Sequence, residues 1–331
     1  MTRCAVVGAG AWGTALADLL ASNGHDTTIW AYESEVVETI NRTHTNRFLK
    51  NAELAPSLRA TSDLAEALGD ARLVVYATPS HHLRRIAALG RASVRPDAIL
   101  AVASKGIERG TLALMTTVIA EEVPERPVVA ISGPSFAAEV VARQPTAIVA
   151  ASDDEPAAVM AQEVLSSNSF RVYTNTDVIG VELGGSLKNV MAVATGIVEG
   201  VGLGYNSRAA LITRGLHEMT RLGVAIGARA STFAGLAGVG DLVLTCTGAL
   251  SRNRALGVEV GKGASLDEAL AGKETVAEGV GTTASALELA ARHEVDMPIV
   301  EMAHRILFEG HPAKSAVPEL MARELRAEQD A

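Results

Sequence analysis

The 331-residue chain sets 29 lysines and arginines against 38 aspartates and glutamates, a formal charge of −9, with 48% hydrophobic and 20% charged residues. Such a composition describes a globular protein long enough for two domains. Its acidity argues against nonspecific binding to nucleic acid or anionic membranes, while leaving room for a local basic site that takes a phosphorylated metabolite. In chain order, residues 4–7 read as a buried strand that runs into Gly8-Ala9-Gly10-Ala11-Trp12-Gly13, and an apolar helical run over 14–21 follows directly. This is G-x-G-x-x-G between a strand and a helix start, the setting in which the pattern binds a dinucleotide. Gly8 permits the turn, Gly10 lets the backbone approach a pyrophosphate, and Gly13 lets helix and strand pack closely. The unpaired N–H groups of the helix start receive the phosphate charge.

Residues 26–30 form a second strand, and Glu33 stands twenty residues beyond Gly13. An acid there binds a ribose 2′-hydroxyl, or merely opens a solvated helix. Short β-rich runs follow at 73–77, 99–103, 128–131, 147–150 and 170–173, alternating with helical ones such as 64–68 and 157–165. That rhythm predicts an α/β fold with a doubly wound, mostly parallel sheet. Near Val178 it changes. Leu183, Leu187, Val190, Met191, Ala194 and Ile197 recur at helical spacing, Ser265-Leu266-Asp267-Glu268 looks like a capping box, and Pro298 and Pro318 punctuate the later helices. The expected division is a dinucleotide-binding domain over 1–179 and an all-α substrate-binding and catalytic domain over 180–331.

The chain's two cysteines, Cys4 and Cys246, lack a C-x-x-C pattern or a nearby histidine cluster, so neither a disulfide framework nor a metal site is suggested. At the N-terminus, spaced glycines and Asp18 break the apolar core that a secretion signal needs, and no other run approaches a membrane span. These features together predict a cytoplasmic protein.

Seven polar clusters stand out, in loops or at helix starts except for Lys188-Asn189, which falls inside the apolar-faced helix that opens the second domain: Thr78-Pro79-Ser80-His81-His82, Ser104-Lys105-Gly106, Ser132-Gly133-Pro134-Ser135-Phe136-Ala137, Lys188-Asn189, Gly240-Asp241, Ser251-Arg252-Asn253-Arg254 and Ala277-Glu278-Gly279. His81 and His82 read as a surface pair rather than a general acid. The chain uses six lysines against twenty-three arginines, yet Lys105 and Lys188 sit in Gly- and Ser-rich apolar surroundings. An ammonium group loses its proton when desolvated and a guanidinium effectively does not, which makes Lys188 the candidate for proton transfer. No strand precedes the glycine run over 235–240, so it reads as backbone packing that positions Asp241.

On these motifs the chain closely resembles the bacterial NAD(P)-dependent sn-glycerol-3-phosphate dehydrogenases from Gly8 to about Leu320. G-A-G-A-W-G-T-A-L, S-K-G, I-S-G-P-S-F-A-x-E, L-K-N, G-x-G-D-L-x-x-T-C and S-R-N-R stand in family order. The resemblance implies cofactor contacts at Ala11, Trp12, Tyr32, Ala137, Arg252, Val276 and Glu278, and places Lys105 between cofactor and substrate. It implies substrate contacts at Gly133, Ser135, Asp241, Ser251, Arg252 and Asn253, with Lys188 as proton acceptor. It further implies a Rossmann domain followed by a helical one, a homodimer, and supply of glycerol 3-phosphate to phospholipid synthesis. Two stretches depart from the family. Phe48-Leu49-Lys50 lacks the usual proline, and Ala31-Tyr32-Glu33 lacks a common basic residue, which leaves NADH against NADPH open.

The implied chemistry is reversible hydride transfer between NAD(P)H and the ketone carbon of dihydroxyacetone phosphate, with Lys188 managing the proton and Asp241 holding it. Two rivals stand beside it. A β-hydroxyacid-type dehydrogenase with a catalytic lysine would take a carboxylate substrate, and a non-catalytic NAD(H)-sensing regulator would need neither Lys188 nor Asp241.

Overall fold

The structure, a computed structural model, describes residues 1–272, 277–325 and 327–328. Eight strands form one sheet: β1 (Arg3–Val7), β2 (Asp26–Trp30), β3 (Arg59–Thr61), β4 (Leu73–Tyr76), β5 (Ile99–Val102), β6 (Val128–Ser132), β7 (Thr146–Ala151) and β8 (Phe170–Asn175), in the order β3-β2-β1-β4-β5-β6-β7-β8. All neighbours run parallel except β6 and β7. Between them lie α1 (Ala11–Ser22), α2 (Ser34–Thr43), α3 (Leu64–Leu68), α4 (Ser80–Gly90), α5 (Met115–Glu122), α6 (Ala137–Val141) and α7 (Glu155–Leu165). This is a Rossmann-like sheet, as expected. The β-rich runs announced seven strands. β3 is the addition, and its Arg-Ala-Thr sequence at the sheet edge carries no apolar run to mark it.

The strands are apolar on both faces because helices cover both. Cys4 and Val6 pack into one core with Leu16, Leu19 and Leu20 of α1, while Ala5 and Val7 pack into another with Leu83 and Ile86 of α4 and Val118 of α5. That alternation is the two-residue period of a strand.

The remaining helices are α8 (Val178–Gly200), α9 (Tyr205–Ala225), α10 (Ala230–Phe233), α11 (Asp241–Thr247), α12 (Arg252–Gly261), α13 (Leu266–Leu270), α14 (Glu278–Arg292), α15 (Pro298–Phe308) and α16 (Ala313–Met321). The spacing of Leu183 to Ile197 predicted a one-sided apolar stripe, but α8 is buried all round from Leu183 to Val198, because α9, α11, α12, α14 and β6 enclose it. Gly196 and Gly200 face Gly257 and Gly261 of α12 so closely that any Cβ would strike backbone. Asp177 fixes where this helical region begins: Oδ1 accepts Gly180 N–H at 3.0 Å, while Oδ2 accepts Arg229 N–H at 2.8 Å and the Thr232 hydroxyl at 2.5 Å.

The Ser265–Glu268 capping box is present, and Pro298 opens α15. Pro318 lies inside α16 rather than at a boundary. Against the expectation that no other run approaches a membrane span, the stretch Ala230–Thr247 is apolar enough by composition to cross one, at mean hydropathy 1.3 over 18 residues. Here the backbone departs from helical geometry at Gly238, and Phe233, Leu242 and Cys246 pack into the core around α8. Both cysteines are buried and free, and burial pushes each thiol up to about 12, so neither is a reactive thiolate.

Candidate active site

Strand order reverses between β1 and β4, where the chain leaves one side of the sheet for the other. Ligands of open α/β sheets bind outside the carboxyl ends of the strands at such a point. β1, β4, β5 and β6 are mutually parallel, so the glycine turn and the loops carrying Thr78-Pro79-Ser80, Ser104-Lys105-Gly106 and Gly133-Pro134-Ser135 share one sheet edge.

The glycine turn fits a pyrophosphate. Gly8 has φ +114°, and a Cβ there would stand 3.0 Å from the Ala77 carbonyl and Thr78 nitrogen. A Cβ on Gly13 would run into the carbonyl oxygen of Gly8, whereas the space beside Gly10 is open. α1 has no side-chain cap and no acid in its first turn, leaving its start to an external anion. The Trp12 indole N–H is buried without a partner, and Ala11 beside it is half-buried. Asn46, which no sequence pattern marked, braces the turn from 37 residues away: its amide donates to Ala9 O at 2.9 Å and to Thr14 Oγ1 at 2.7 Å. Tyr32 is 76% exposed just past β2. Glu33 beside it is partly exposed, and its carboxylate accepts no hydrogen bond among the described residues. Ala137 begins α6 and is half-buried, while Val276 lies outside the described residues.

At the centre, two lysines converge on one carboxylate. Lys188 Nζ donates to Asp241 Oδ1 at 2.5 Å, and Lys105 Nζ donates to Asp241 Oδ2 at 2.6 Å. Asp241 is fully buried and Lys188 is 8% exposed. The glycine run predicted to position Asp241 does so through backbone contact. A Cβ on Gly184 of α8 would strike the carbonyl of Ala237, and one on Gly238 would strike the backbone of Phe233. Thr245 Oγ1 donates to the Asp241 carbonyl at 2.6 Å.

Burial pushes Lys188 down to about 7, with Asp241 opposing the shift and Lys105 adding to it. Burial alone would raise the Asp241 carboxyl, but the two ammonium groups overcome it and hold the group below the usual carboxylate range. With both lysines protonated the trio carries a net charge of +1, suited to an oxyanion. With Lys188 near neutrality it suits proton transfer in either direction.

Of the other expected residues, Gly133 touches this trio directly. Gly133, at φ +137°, turns its carbonyl to accept Lys105 Nζ at 3.4 Å and the Ser135 hydroxyl at 3.0 Å. Ser251 caps α12 by accepting Arg254 N–H at 3.2 Å, which leaves its own hydroxyl proton free to donate. Asn253 is buried; its Nδ2 donates to Asn189 Oδ1 at 2.9 Å and its Oδ1 accepts Gly279 N–H at 3.0 Å. Arg252, between them, is exposed and makes no salt bridge within 4 Å among the described residues, although the Glu278 carboxylate acts on its charge. Glu278 reaches across to Ser80, accepting its N–H at 3.1 Å and its hydroxyl at 2.6 Å. Ser186 Oγ donates to the Gly106 carbonyl at 3.1 Å. The His81 and His82 rings meet at a tilt, their centroids 4.0 Å apart, on the exposed face of α4, and neither ring makes a hydrogen bond into this network among the described residues. No local pattern singles out Ser80 or Ser186, because their partners, Glu278 and Gly106, lie 198 and 80 positions away.

Comparison with known proteins finds relatives along nearly the whole chain. The family model for the NAD-dependent glycerol-3-phosphate dehydrogenase N-terminus matches residues 3–158, and that for the C-terminus matches residues 177–318. A Geobacter sulfurreducens glycerol-3-phosphate dehydrogenase (NAD(P)+) is 54% identical over 332 residues, covering 98% of either chain. A Myxococcus xanthus protein of the same name is 48% identical over 330 residues, again covering 98% of each. The crystal structure of a Coxiella burnetii glycerol-3-phosphate dehydrogenase superposes with a TM-score of 0.94 at 41% identity, covering 97% of this chain and 99% of that one. With both halves matched in order and near-complete coverage of its relatives, the chain belongs to the NAD-dependent glycerol-3-phosphate dehydrogenase family.

Proposed function

We propose that Lys188 donates and accepts the proton in the family's reaction, the reversible NAD(P)H-dependent reduction of dihydroxyacetone phosphate to sn-glycerol 3-phosphate. The observation that carries this reading is the buried Lys105–Asp241–Lys188 trio at the carboxyl edge of the sheet. When bound, the nicotinamide supplies the hydride, and the protein supplies orientation and proton handling. As negative charge grows on the ketone oxygen, protonated Lys188 stabilises and then protonates it. In the oxidative direction neutral Lys188 takes the hydroxyl proton. Asp241 holds both lysines, and Lys105 lies where it touches cofactor and substrate together.

Residues 1–179 hold the cofactor through Gly8, Gly10, Ala11, Trp12 and Gly13, with Tyr32, Glu33 and Ala137 beside it. Residues 180–331 complete the site with Arg252, Val276 and Glu278 on the cofactor. The substrate lies against Gly133 and Ser135, with Ser251, Arg252 and Asn253 receiving its phosphate. The reading includes a cytoplasmic homodimer whose product feeds glycerophospholipid synthesis; light scattering on the purified protein tests the dimer. The direct test of the reaction offers the protein dihydroxyacetone phosphate with NADH or NADPH and follows reduced-nicotinamide absorbance. Absence of oxidation with either cofactor defeats the reading.

Arg252→Ala raises the KM for dihydroxyacetone phosphate, because charge-assisted guanidinium bonds to phosphate are strong and often bidentate. Arg252→Lys recovers part of the loss, since a lysine offers a point charge rather than a fork. Normal KM in both variants removes Arg252 from the phosphate site.

Both cofactors serve, and Glu33 biases the choice. A carboxylate at the end of β2 accepts hydrogen bonds from a ribose 2′-hydroxyl and repels a 2′-phosphate. Glu33→Ala therefore raises the NADPH/NADH ratio of kcat/KM. Measured at fixed salt, an unchanged ratio means that Glu33 is only a solvated acid at the start of α2.

A further inference from the structure

The contact between Ser80 and Glu278 joins the start of α4, at the switch point of the sheet, to the start of α14 in the helical region. α4 has no side-chain cap of its own from Pro79 and no acid in its first turn, so Glu278 provides the cap from 198 residues away. On one side, Thr78, two residues earlier, abuts the glycine turn at Gly8. On the other side packs Gly106, next to Lys105. A Cβ on Gly106 would stand 2.7 Å from Ser80 Oγ and 3.7 Å from Glu278 Oε2. The carboxylate is thus set between the glycine turn and the lysine that binds Asp241.

A carboxylate offers about four acceptor positions. Ser80 takes one on each oxygen, at 3.1 and 2.6 Å, and leaves one on each. The pairing therefore orients Glu278 without exhausting it.

We propose that Ser80 is a positioning residue for the cofactor: it holds Glu278 so that the two remaining acceptor positions receive ribose hydroxyls of the bound dinucleotide. The inference rests on the reading that the chain binds NAD(P)H. Ser80→Ala removes the hydroxyl and keeps the backbone N–H. NADH binding is read from quenching of the Trp12 and Trp30 fluorescence, and thermal unfolding is measured without cofactor.

The Kd for NADH rises about tenfold in Ser80→Ala, the scale of one hydrogen bond to a charged group. In turnover the loss falls on the KM for NADH rather than on kcat. Glu278→Gln also raises the Kd, and the double variant binds no worse than Glu278→Gln alone, because the two residues act as one unit. Failure of the wild-type protein to bind NADH overturns the reading beneath the proposal. Wild-type binding combined with an unchanged or smaller Kd in Ser80→Ala, or with additive losses in the double variant, overturns the proposal itself. So does a fall in the unfolding midpoint with no change in Kd, which marks a purely structural tie.

Discussion

Lys188→Ala lowers kcat by about 10²–10⁴-fold, the usual worth of a positioned acid or base, and leaves the Kd for NADH nearly unchanged. The split follows from where Lys188 stands: on α8 against Asp241, whereas the turn proposed to take the cofactor opens α1. The pH profile carries a second signature. Ketone reduction needs the protonated lysine and alcohol oxidation the neutral one, and burial sets Lys188 at about 7. In the wild type, reduction therefore slows as pH rises through about 7, while oxidation accelerates over the same range. Both inflections vanish in Lys188→Ala. Near-normal turnover in a folded variant, or an inflection that survives, assigns the proton to another group, and His81 and His82 would be tested next.

Asp241→Asn costs about 3–5 kcal/mol of folding stability, because removing one partner of a buried ion pair leaves charge uncompensated. Here the removed carboxylate faces two ammonium groups, at 2.5 and 2.6 Å, and is itself fully buried. The same change removes the attraction that opposes the fall in the Lys188 pKa while leaving the Lys105 repulsion. The pH at which reduction slows thus moves below its wild-type position, and turnover at neutral pH drops with it. Denaturant unfolding at pH 7 and a rate profile between pH 5 and 9 measure the two effects. Unchanged stability together with an unmoved profile shows that Asp241 does not hold the lysines in solution.

Much of this was legible locally. Strand, glycine turn and helix start are contiguous, and each makes a demand on backbone geometry that only certain residues meet. Gly8 at φ +114° and the absence of room for a Cβ at Gly13 are demands of that kind. The alternation of short apolar runs with helices announced a covered parallel sheet for the same reason: the period of the pattern is the period of the backbone. Lys188 stood out because a lysine amid glycine and apolar residues is a costly placement in a chain that otherwise prefers arginine.

Long-range pairing lay beyond local pattern. Nothing near Asp241 in sequence discloses that its two oxygens are divided between Lys105 and Lys188, nor that Glu278 caps a helix beginning at Ser80. β3 went unseen because three residues at a sheet edge need no apolar run of their own. α8 looked amphipathic and is enclosed, since how many neighbours surround a helix depends on how the later helices fold back on it. The glycine turn, the strand-helix rhythm of the α/β sheet and the candidate proton carrier are all written in short contiguous stretches. The lowered Lys188 pKa, the Lys105–Asp241–Lys188 trio and the Ser80–Glu278 tie arise only on folding. Burial and charge pairing are properties of residues that meet in space, and those partners lie 53, 136 and 198 positions apart.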